Sequence, residues 1–176
     1  MGIRGLKRYL ALKYKAESEA LSDGSSLMID GLGWLFYVID NIANTEKQFG
    51  GTYSTLIDVM SSEIRGLRAM GLELIFFIDG DSSRMKDATA EKRRCQREEK
   101  WLALYHATLD DTDGRVVQSG LPSPPLSVDV LDFVLSSLGV KTVVCSFEAD
   151  QDLAIACQKG NLNSGGPRCY CYGSDT

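Results

Sequence analysis

The chain has 176 residues, 44% of them hydrophobic and 9% aromatic, so it can bury the core of one globular domain and lacks the composition of a disordered protein. Its formal net charge of -5 argues against a protein that coats nucleic acid through overall charge, so any basic contact surface would have to be local. Residues 1–20 contain no long apolar run and no small-residue cleavage site, so we expect neither a signal peptide nor a membrane span and take the chain to be soluble and intracellular.

Four strand-like apolar runs alternate with segments of helical periodicity. The runs are 26–29, 73–78, 141–145 and 168–172. This alternation predicts an α/β fold with a mainly parallel sheet. Cys145 and Cys169 lie inside these runs, so we expect reduced, buried thiols rather than disulfide bonds.

Helices are predicted between the strands. Segments 32–43 and 56–67 each carry apolar residues at helical spacing, and a polar, glycine-containing stretch separates them. Ser127 is predicted to cap a further helix that Gly139 ends. A last helix is predicted at about 150–159.

Carboxylates follow the end of every predicted strand. They are Asp30, Asp79, Glu148, Asp150 and Asp175. Ligands bind outside the carboxyl ends of the strands in open α/β sheets, so these groups are expected to converge on one crevice. Clustered carboxylates repel one another unless cations neutralise them, and Mg²⁺ or Mn²⁺ is the natural occupant. Taken singly, each of these carboxylates could instead serve only as a turn former or helix cap. For Asp152, which lies nearby but outside this pattern, that structural role is the preferred interpretation.

A charged, helix-favouring segment follows the second strand. Residues 84–100 contain seven basic and four acidic side chains, a local charge of +3. Helical spacing places Lys86, Arg93, Arg97 and Lys100 on one face, which suits a phosphate backbone. The alternative is a solvated helix held by ion pairs. Carboxylates that hold metal beside such a face match the needs of phosphodiester hydrolysis.

The motifs MGIRGL, LMIDG, FFIDG and FEADQD resemble those of the flap endonuclease/XPG superfamily, and among its branches the asteroid proteins. The resemblance covers 1–176 and implies a three-layer PIN-like fold with a mainly parallel central sheet, in which residues 84–125 form a basic helical arch. It also implies a monomeric, nuclear, structure-specific endonuclease that cleaves single-stranded or branched, flap-like DNA by a two-metal-ion mechanism, with RNA as another substrate.

The resemblance also implies roles for individual residues. The five strand-end carboxylates match metal ligands, with Asp150 where many relatives have Glu. Lys86 and Arg93 match the catalytic basic pair that holds the scissile phosphate. Phe36 stands where relatives carry an aromatic ring that stacks on a base, although core packing is its preferred interpretation. The remaining nucleic-acid contacts are expected at Gly2, Arg94, Arg97 and Lys100.

The end of the chain departs from the family pattern. Relatives continue past the Asp175 motif to another Asp and a helical DNA-binding region, so we expect the C-terminal part to be missing and the metal site to lack a ligand. A catalytically weak or inactive scaffold that binds nucleic acid or protein is therefore an alternative. A second is a haloacid-dehalogenase-type phosphatase, because IFFIDGD also fits that motif, with Asp79 as nucleophile and Asp81 as acid/base.

Overall fold

The computed structural model describes residues 24–42, 52–80, 87–109, 123–162 and 169–172. Within these ranges the strands are β1 (Ser26–Asp30), β2 (Glu73–Ile78), β3 (Lys141–Val144) and β4 (Cys169–Tyr172). They form one sheet in the order β3-β2-β1-β4, and each of the three pairings is parallel. The α/β fold with a parallel sheet is confirmed.

The helices lie close to where the sequence predicts them, four from apolar periodicity or capping signals and one from the charged, helix-favouring segment. They are α1 (Gly31–Tyr37), α2 (Tyr53–Ala69), α3 (Asp87–Leu109), α4 (Ser127–Ser137) and α5 (Ala149–Leu162). α1 passes directly into a π-helical turn at Val38–Ile42. Among the described residues, no helix combines the length and the apolar character needed to cross a membrane.

The larger part of the core lies on one face of the sheet, where α1, α2 and α4 pack. Leu35, Met60 and Phe76 are fully buried there. The rings of Trp34 and Phe76 meet edge to face, with centroids 5.2 Å apart. Each fully buried apolar side chain of this size contributes about 1.5–3 kcal/mol to stability, so this face anchors the sheet.

The opposite face is covered by α5. Its smaller cluster comprises Met28, Phe77, Cys145, Ala149 and Leu153. Helices thus lie on both sides of the sheet, which gives the three layers that the sequence predicts.

The predicted cap of α4 is wrong, because Ser127 is the first residue inside the helix. Its side chain is buried, and Oγ donates a 2.7 Å hydrogen bond to the carbonyl oxygen of Pro124. The other end of α4 agrees with the sequence, since Gly139 follows it with a φ of 58°. Arg68 of α2 donates to the carbonyl oxygens of Leu138 and Gly139, at 2.7 and 3.0 Å, and so ties α2 to that end.

Candidate functional site

The strand register places the acidic strand ends on one face of the sheet. Asp30 is aligned with Phe77 of β2, and side chains alternate between faces along a strand. Asp79, two residues beyond Phe77, therefore lies on the same face as Asp30. Cys145, at the end of β3, shares this face. Both carboxylates thus belong to the side of the sheet that α5 covers.

Asp30 ends β1 and is also the N-cap of α1. Its Oδ1 accepts a 3.1 Å hydrogen bond from the backbone N–H of Gly33. The side chain is buried, with 8% of the residue's surface exposed. A cap of this kind contributes about 1 kcal/mol, so the ordinary structural role and the candidate site role coincide at this residue.

Asp79 joins the end of β2 to the beginning of α5. Its Oδ1 accepts a 2.7 Å hydrogen bond from the backbone N–H of Ala149, which lies 70 residues further along the chain. That N–H belongs to the first turn of α5 and has no partner within its own helix. Glu148 and Asp150 flank Ala149, so this bond brings their backbone beside Asp79.

The pKa of Asp150 reports that the carboxylates lie close together. It is raised above its ordinary value, first by partial burial of the carboxyl group and next by the charge of Asp30, with Asp79 and Glu148 adding to the effect. Each nearby negative charge disfavours another. Asp30, Asp79 and Glu148 are therefore each within electrostatic reach of Asp150, whereas Asp175 lies outside the described residues.

The donor set fits a hard divalent cation. All four groups are carboxylates, the ligand type that Mg²⁺ and Mn²⁺ prefer. The pKa of Asp150 is raised first by burial and next by the negative charge of its neighbours, and a bound cation would neutralise that charge. In the part of the chain that the structure describes, no three side chains of Asp, Glu, His or Cys stand close enough together to hold one ion. The carboxylates thus share a region without forming a closed coordination shell.

A buried thiol lies beneath this region. Only 4% of Cys145 is exposed, and burial raises its pKa to about 11, with further contributions from a hydrogen bond to Asp152 and from the charges of Asp152 and Asp79. At neutral pH the thiol therefore stays protonated and can donate to the Asp152 carboxylate. Asp152, assigned above to capping or surface, has a specific partner that sequence spacing did not reveal.

The ends of β2 and β3 are held together by backbone hydrogen bonds. Cys145 N–H donates to Ile78 O at 2.9 Å, and Gly80 N–H donates to Phe147 O at 2.7 Å. The chain between β3 and α5 consequently runs close against the end of β2. This contact fixes where α5 begins.

Residues 87–100 of the basic segment lie in α3, which makes no extensive contact with the sheet or with the other described helices. Arg93 lies within this helix, and its side chain is outside the described residues, as are Lys86 and Gly2. Arg97 and Lys100 are exposed.

Arg94 forms ion pairs within α3, as the alternative of a solvated helix predicts. It donates to Glu91 at 2.7 and 3.1 Å and approaches Glu98 at 3.7 Å. The hydrogen bond from Arg94 is also the main reason why the pKa of Glu91 is lowered. Pairs this exposed contribute little to stability.

Phe36 is not a core residue, so its preferred interpretation from the sequence is wrong. Its neighbours Leu35 and Ile39 are buried, whereas Phe36 and Tyr37 are each 46% exposed. The buried stripe of α1 passes beside Phe36 and leaves its ring at the surface.

Comparison with known proteins decides the family. Residues 1–100, more than half of the 176, match the family described as the XPG N-terminal domain. The chain belongs to this family. This XPG domain is 23% identical over 173 residues to Flap endonuclease 1 of Cryptosporidium muris, covering 91% of the chain and 36% of the relative. It is 23% identical over 154 residues to Flap endonuclease 1 of Archaeoglobus fulgidus, covering 84% and 46%.

The fold of the XPG domain has a counterpart among solved structures. The catalytic core of Rad2 in complex with DNA substrate matches it with a TM-score of 0.56 at 15% identity, covering 97% of the chain and 50% of the Rad2 core. This likeness confirms the fold class. The XPG domain spans less than half the length of the curated relatives that it matches. The superfamily assignment is confirmed, and the asteroid branch stays a prediction.

Proposed function

We propose that this XPG domain belongs to a structure-specific endonuclease that hydrolyses phosphodiester bonds in DNA with the help of divalent cations. The observation that carries the proposal is geometric: the strand register places Asp30 and Asp79 on one face at the carboxyl ends of parallel strands, where Asp79 bonds to the N–H of Ala149 between Glu148 and Asp150. The family supports the same chemistry, since the curated relatives are named flap endonucleases.

The four carboxylates would hold Mg²⁺ or Mn²⁺, together with Asp175, and two ions are expected. When bound, such ions activate water and neutralise charge on the phosphate. The contribution of the chain is to orient the carboxylates in advance. Asp30 is held by the N–H of Gly33, and Asp79 by the N–H of Ala149.

The proposed substrate is single-stranded or branched, flap-like DNA, with RNA as the alternative. The Rad2 core of similar fold is described in complex with DNA substrate. We assign the scissile phosphate to Lys86 and Arg93, and flanking phosphates to the exposed Arg97 and Lys100. An exposed ring suits base stacking, so Phe36 is assigned to the base beside the cleavage point.

The remaining parts of the proposal rest on the family pattern. Residues 84–125 would form an arch over single-stranded nucleic acid, Gly2 would lie beside the site, and Arg94 would contact the substrate after leaving its acidic partners. The asteroid branch, a monomeric state and a nuclear location belong to the same proposal.

A scaffold that binds nucleic acid or protein without cleaving it is the second candidate. It is favoured by one observation, that no three potential ligands among the described residues are close enough to hold one ion. The haloacid-dehalogenase-type phosphatase accounts neither for the match to the XPG domain nor for the convergence of Asp30, Glu148 and Asp150 with Asp79.

A cleavage assay on the whole protein tests the proposal. Labelled flap, bubble and single-stranded DNA, and single-stranded RNA, would be incubated with Mg²⁺ or Mn²⁺, with EDTA as the control. We expect cation-dependent cleavage near the junction of branched DNA, and weak cation binding with little cleavage for residues 1–176 alone. Absence of cleavage on every substrate, with nucleic-acid binding retained, would favour the scaffold.

A further inference from the structure

The same dipeptide, Asp-Gly, lies at the ends of two strands of this domain. Asp30 is the last residue of β1 and Gly31 the first of α1, and Asp79-Gly80 directly follows β2. In both cases the glycine lies against the end of a neighbouring strand or the chain that leaves it. The carboxylates belong to the proposed metal site, so the question is what the glycines contribute to it.

Gly80 lies in backbone contact with the chain between β3 and α5. A Cβ atom built on Gly80 would collide with the carbonyl oxygen of Cys145 and would lie 2.9 Å from the carbonyl carbon of that residue and 3.0 Å from that of Ser146. These are main-chain atoms, which have no rotamer with which to move away. Any side chain at this position would therefore push the two segments apart.

The segment that Gly80 contacts carries the acids of α5. The N–H of Gly80 donates to Phe147 O at 2.7 Å, and two residues later the N–H of Ala149 donates to Asp79 at 2.7 Å. Glu148 and Asp150 flank Ala149. A displacement of this segment would lengthen the bond to Asp79 and move both acids away from it.

Gly31 makes a similar but softer contact with the end of β2. A Cβ atom there would meet Cδ1 of Ile78 and would lie 3.1 Å from the carbonyl oxygen of Phe77. The Ile78 methyl group is the end of a flexible side chain, and it can rotate. Substitution of Gly31 should therefore disturb the site less than substitution of Gly80.

We propose that Gly80, and to a smaller degree Gly31, are positioning residues that set the separation of the carboxylates by letting successive strand ends close on one another. The expected effect on the hydrogen bond between Asp79 and Ala149 follows from the backbone contacts of Gly80. The expected effect on cation affinity rests on the proposed function. Neither glycine has a side chain that could hold a cation, so their role is to position other groups.

The first test is Gly80→Ala, with Gly66→Ala as the matched control. Gly66 lies exposed within α2, and a Cβ atom there would meet nothing within 4 Å. Two quantities would be measured on the whole protein, because residues 1–176 alone are expected to bind cations weakly: hydrogen exchange of the Ala149 amide and Mn²⁺ affinity by titration. We expect Gly80→Ala to speed that exchange and to weaken Mn²⁺ binding roughly 10- to 100-fold, as for loss of an outer-shell support. Gly66→Ala should change neither.

The second test uses a compensating change beside Gly31. Gly31→Ala should weaken Mn²⁺ binding less than Gly80→Ala does. Ile78→Val removes the Cδ1 methyl group that the new Cβ atom would meet, so the double variant should recover part of the loss. This recovery distinguishes a steric contact from a general loss of stability. If Gly80→Ala does not fold, the recovery alone tests the positioning role.

The outcomes separate this inference from the proposed function. If folded Gly80→Ala keeps both slow exchange at Ala149 and wild-type Mn²⁺ affinity, or if Ile78→Val gives no recovery in Gly31→Ala, the positioning role is wrong. If the wild-type chain binds no Mn²⁺ while Gly80→Ala still speeds exchange at Ala149, the positioning role holds and the proposed metal site fails.

Discussion

The acidic edge of the sheet and helix α3 are built in opposite ways. At the acidic edge, Asp79 bonds to a residue 70 positions away, and a buried cluster lies directly beneath. Along α3, Arg94 pairs with Glu91 and Glu98, three and four residues away, and both partners are exposed. Long-range packing therefore positions the acids, whereas the observed ion pairs of α3 depend only on its own sequence.

The two regions are therefore suited to different tasks, the acidic edge to cation binding and α3 to contact with a charged polymer. Groups that must hold a cation need fixed separations, and a packed core supplies them. Groups that bind a long, charged polymer must be exposed to solvent, and the described charged side chains of α3 are exposed. A substitution in one region can therefore be compared with a substitution in the other region, or at a matched position, as its control.

The largest effect is expected from Asp79→Asn. Asparagine keeps an oxygen that can accept from Ala149, so the variant removes charge and leaves the link to α5 in place. Cleavage by the whole protein should fall by roughly a hundred- to a thousandfold, comparable to loss of one strong electrostatic contribution to the transition state. Asp132→Asn on the exposed side of α4 is the control. Normal turnover in Asp79→Asn would remove this residue from the site.

An effect of comparable size is expected on the free energy of unfolding. Leu35 is fully buried, so Leu35→Ala should lower the free energy of unfolding by about 2–5 kcal/mol. Leu102 of α3 is 58% exposed, and Leu102→Ala should change it by no more than about 0.5 kcal/mol. Urea denaturation measures both. A large loss in Leu102→Ala would mean that α3 is packed against the rest of the protein.

Adjacent arginines on α3 provide the next comparison. Arg93→Ala should slow single-turnover cleavage roughly a hundredfold if Arg93 contacts the scissile phosphate. Arg94→Ala should have a much smaller effect, because Arg94 is occupied by Glu91 and Glu98. A wild-type rate in Arg93→Ala would reduce α3 to a solvated surface.

The smallest effect concerns two thiols. Cys95 on α3 is exposed, whereas Cys145 is buried with its pKa raised to about 11. A thiol reacts as its thiolate, and a raised pKa lowers the thiolate fraction at pH 8 while making that thiolate more nucleophilic. The net effect of the pKa shift should be to slow the reaction of Cys145 with a disulfide reagent about tenfold. The rate should climb as pH rises towards 11, and burial should slow it further. Mass spectrometry after timed labelling gives both rates, and equal labelling at pH 8 would contradict the buried environment.

Local sequence predicts the elements of this fold well and their contacts poorly. The bounds of β2 agree with the prediction, since its apolar run is continuous and flanked by polar or glycine residues. The convergence of Asp30 and Asp79 follows from parallel strands, so it is visible in the sequence as soon as the fold class is.

What the sequence did not reveal depends on positions in three dimensions. Phe36 was assigned to the core because apolar periodicity does not resolve the edge of a buried stripe, and Ser127 was misplaced by one residue at the start of α4. The contact of Gly80 with Cys145 depends on how closely two strand ends approach, and no local pattern encodes that distance.

The bond between Asp79 and Ala149 also has a consequence during protein synthesis. Asp30 and Asp79 are synthesised before β3 and α5, so a partly made chain carries these carboxylates without the rest of the set. Contacts between residues this far apart in sequence form slowly, because a long loop must close first. The acidic edge is thus completed only when the sheet is, and a partly made or unfolded chain carries its acids as separate, ordinary side chains.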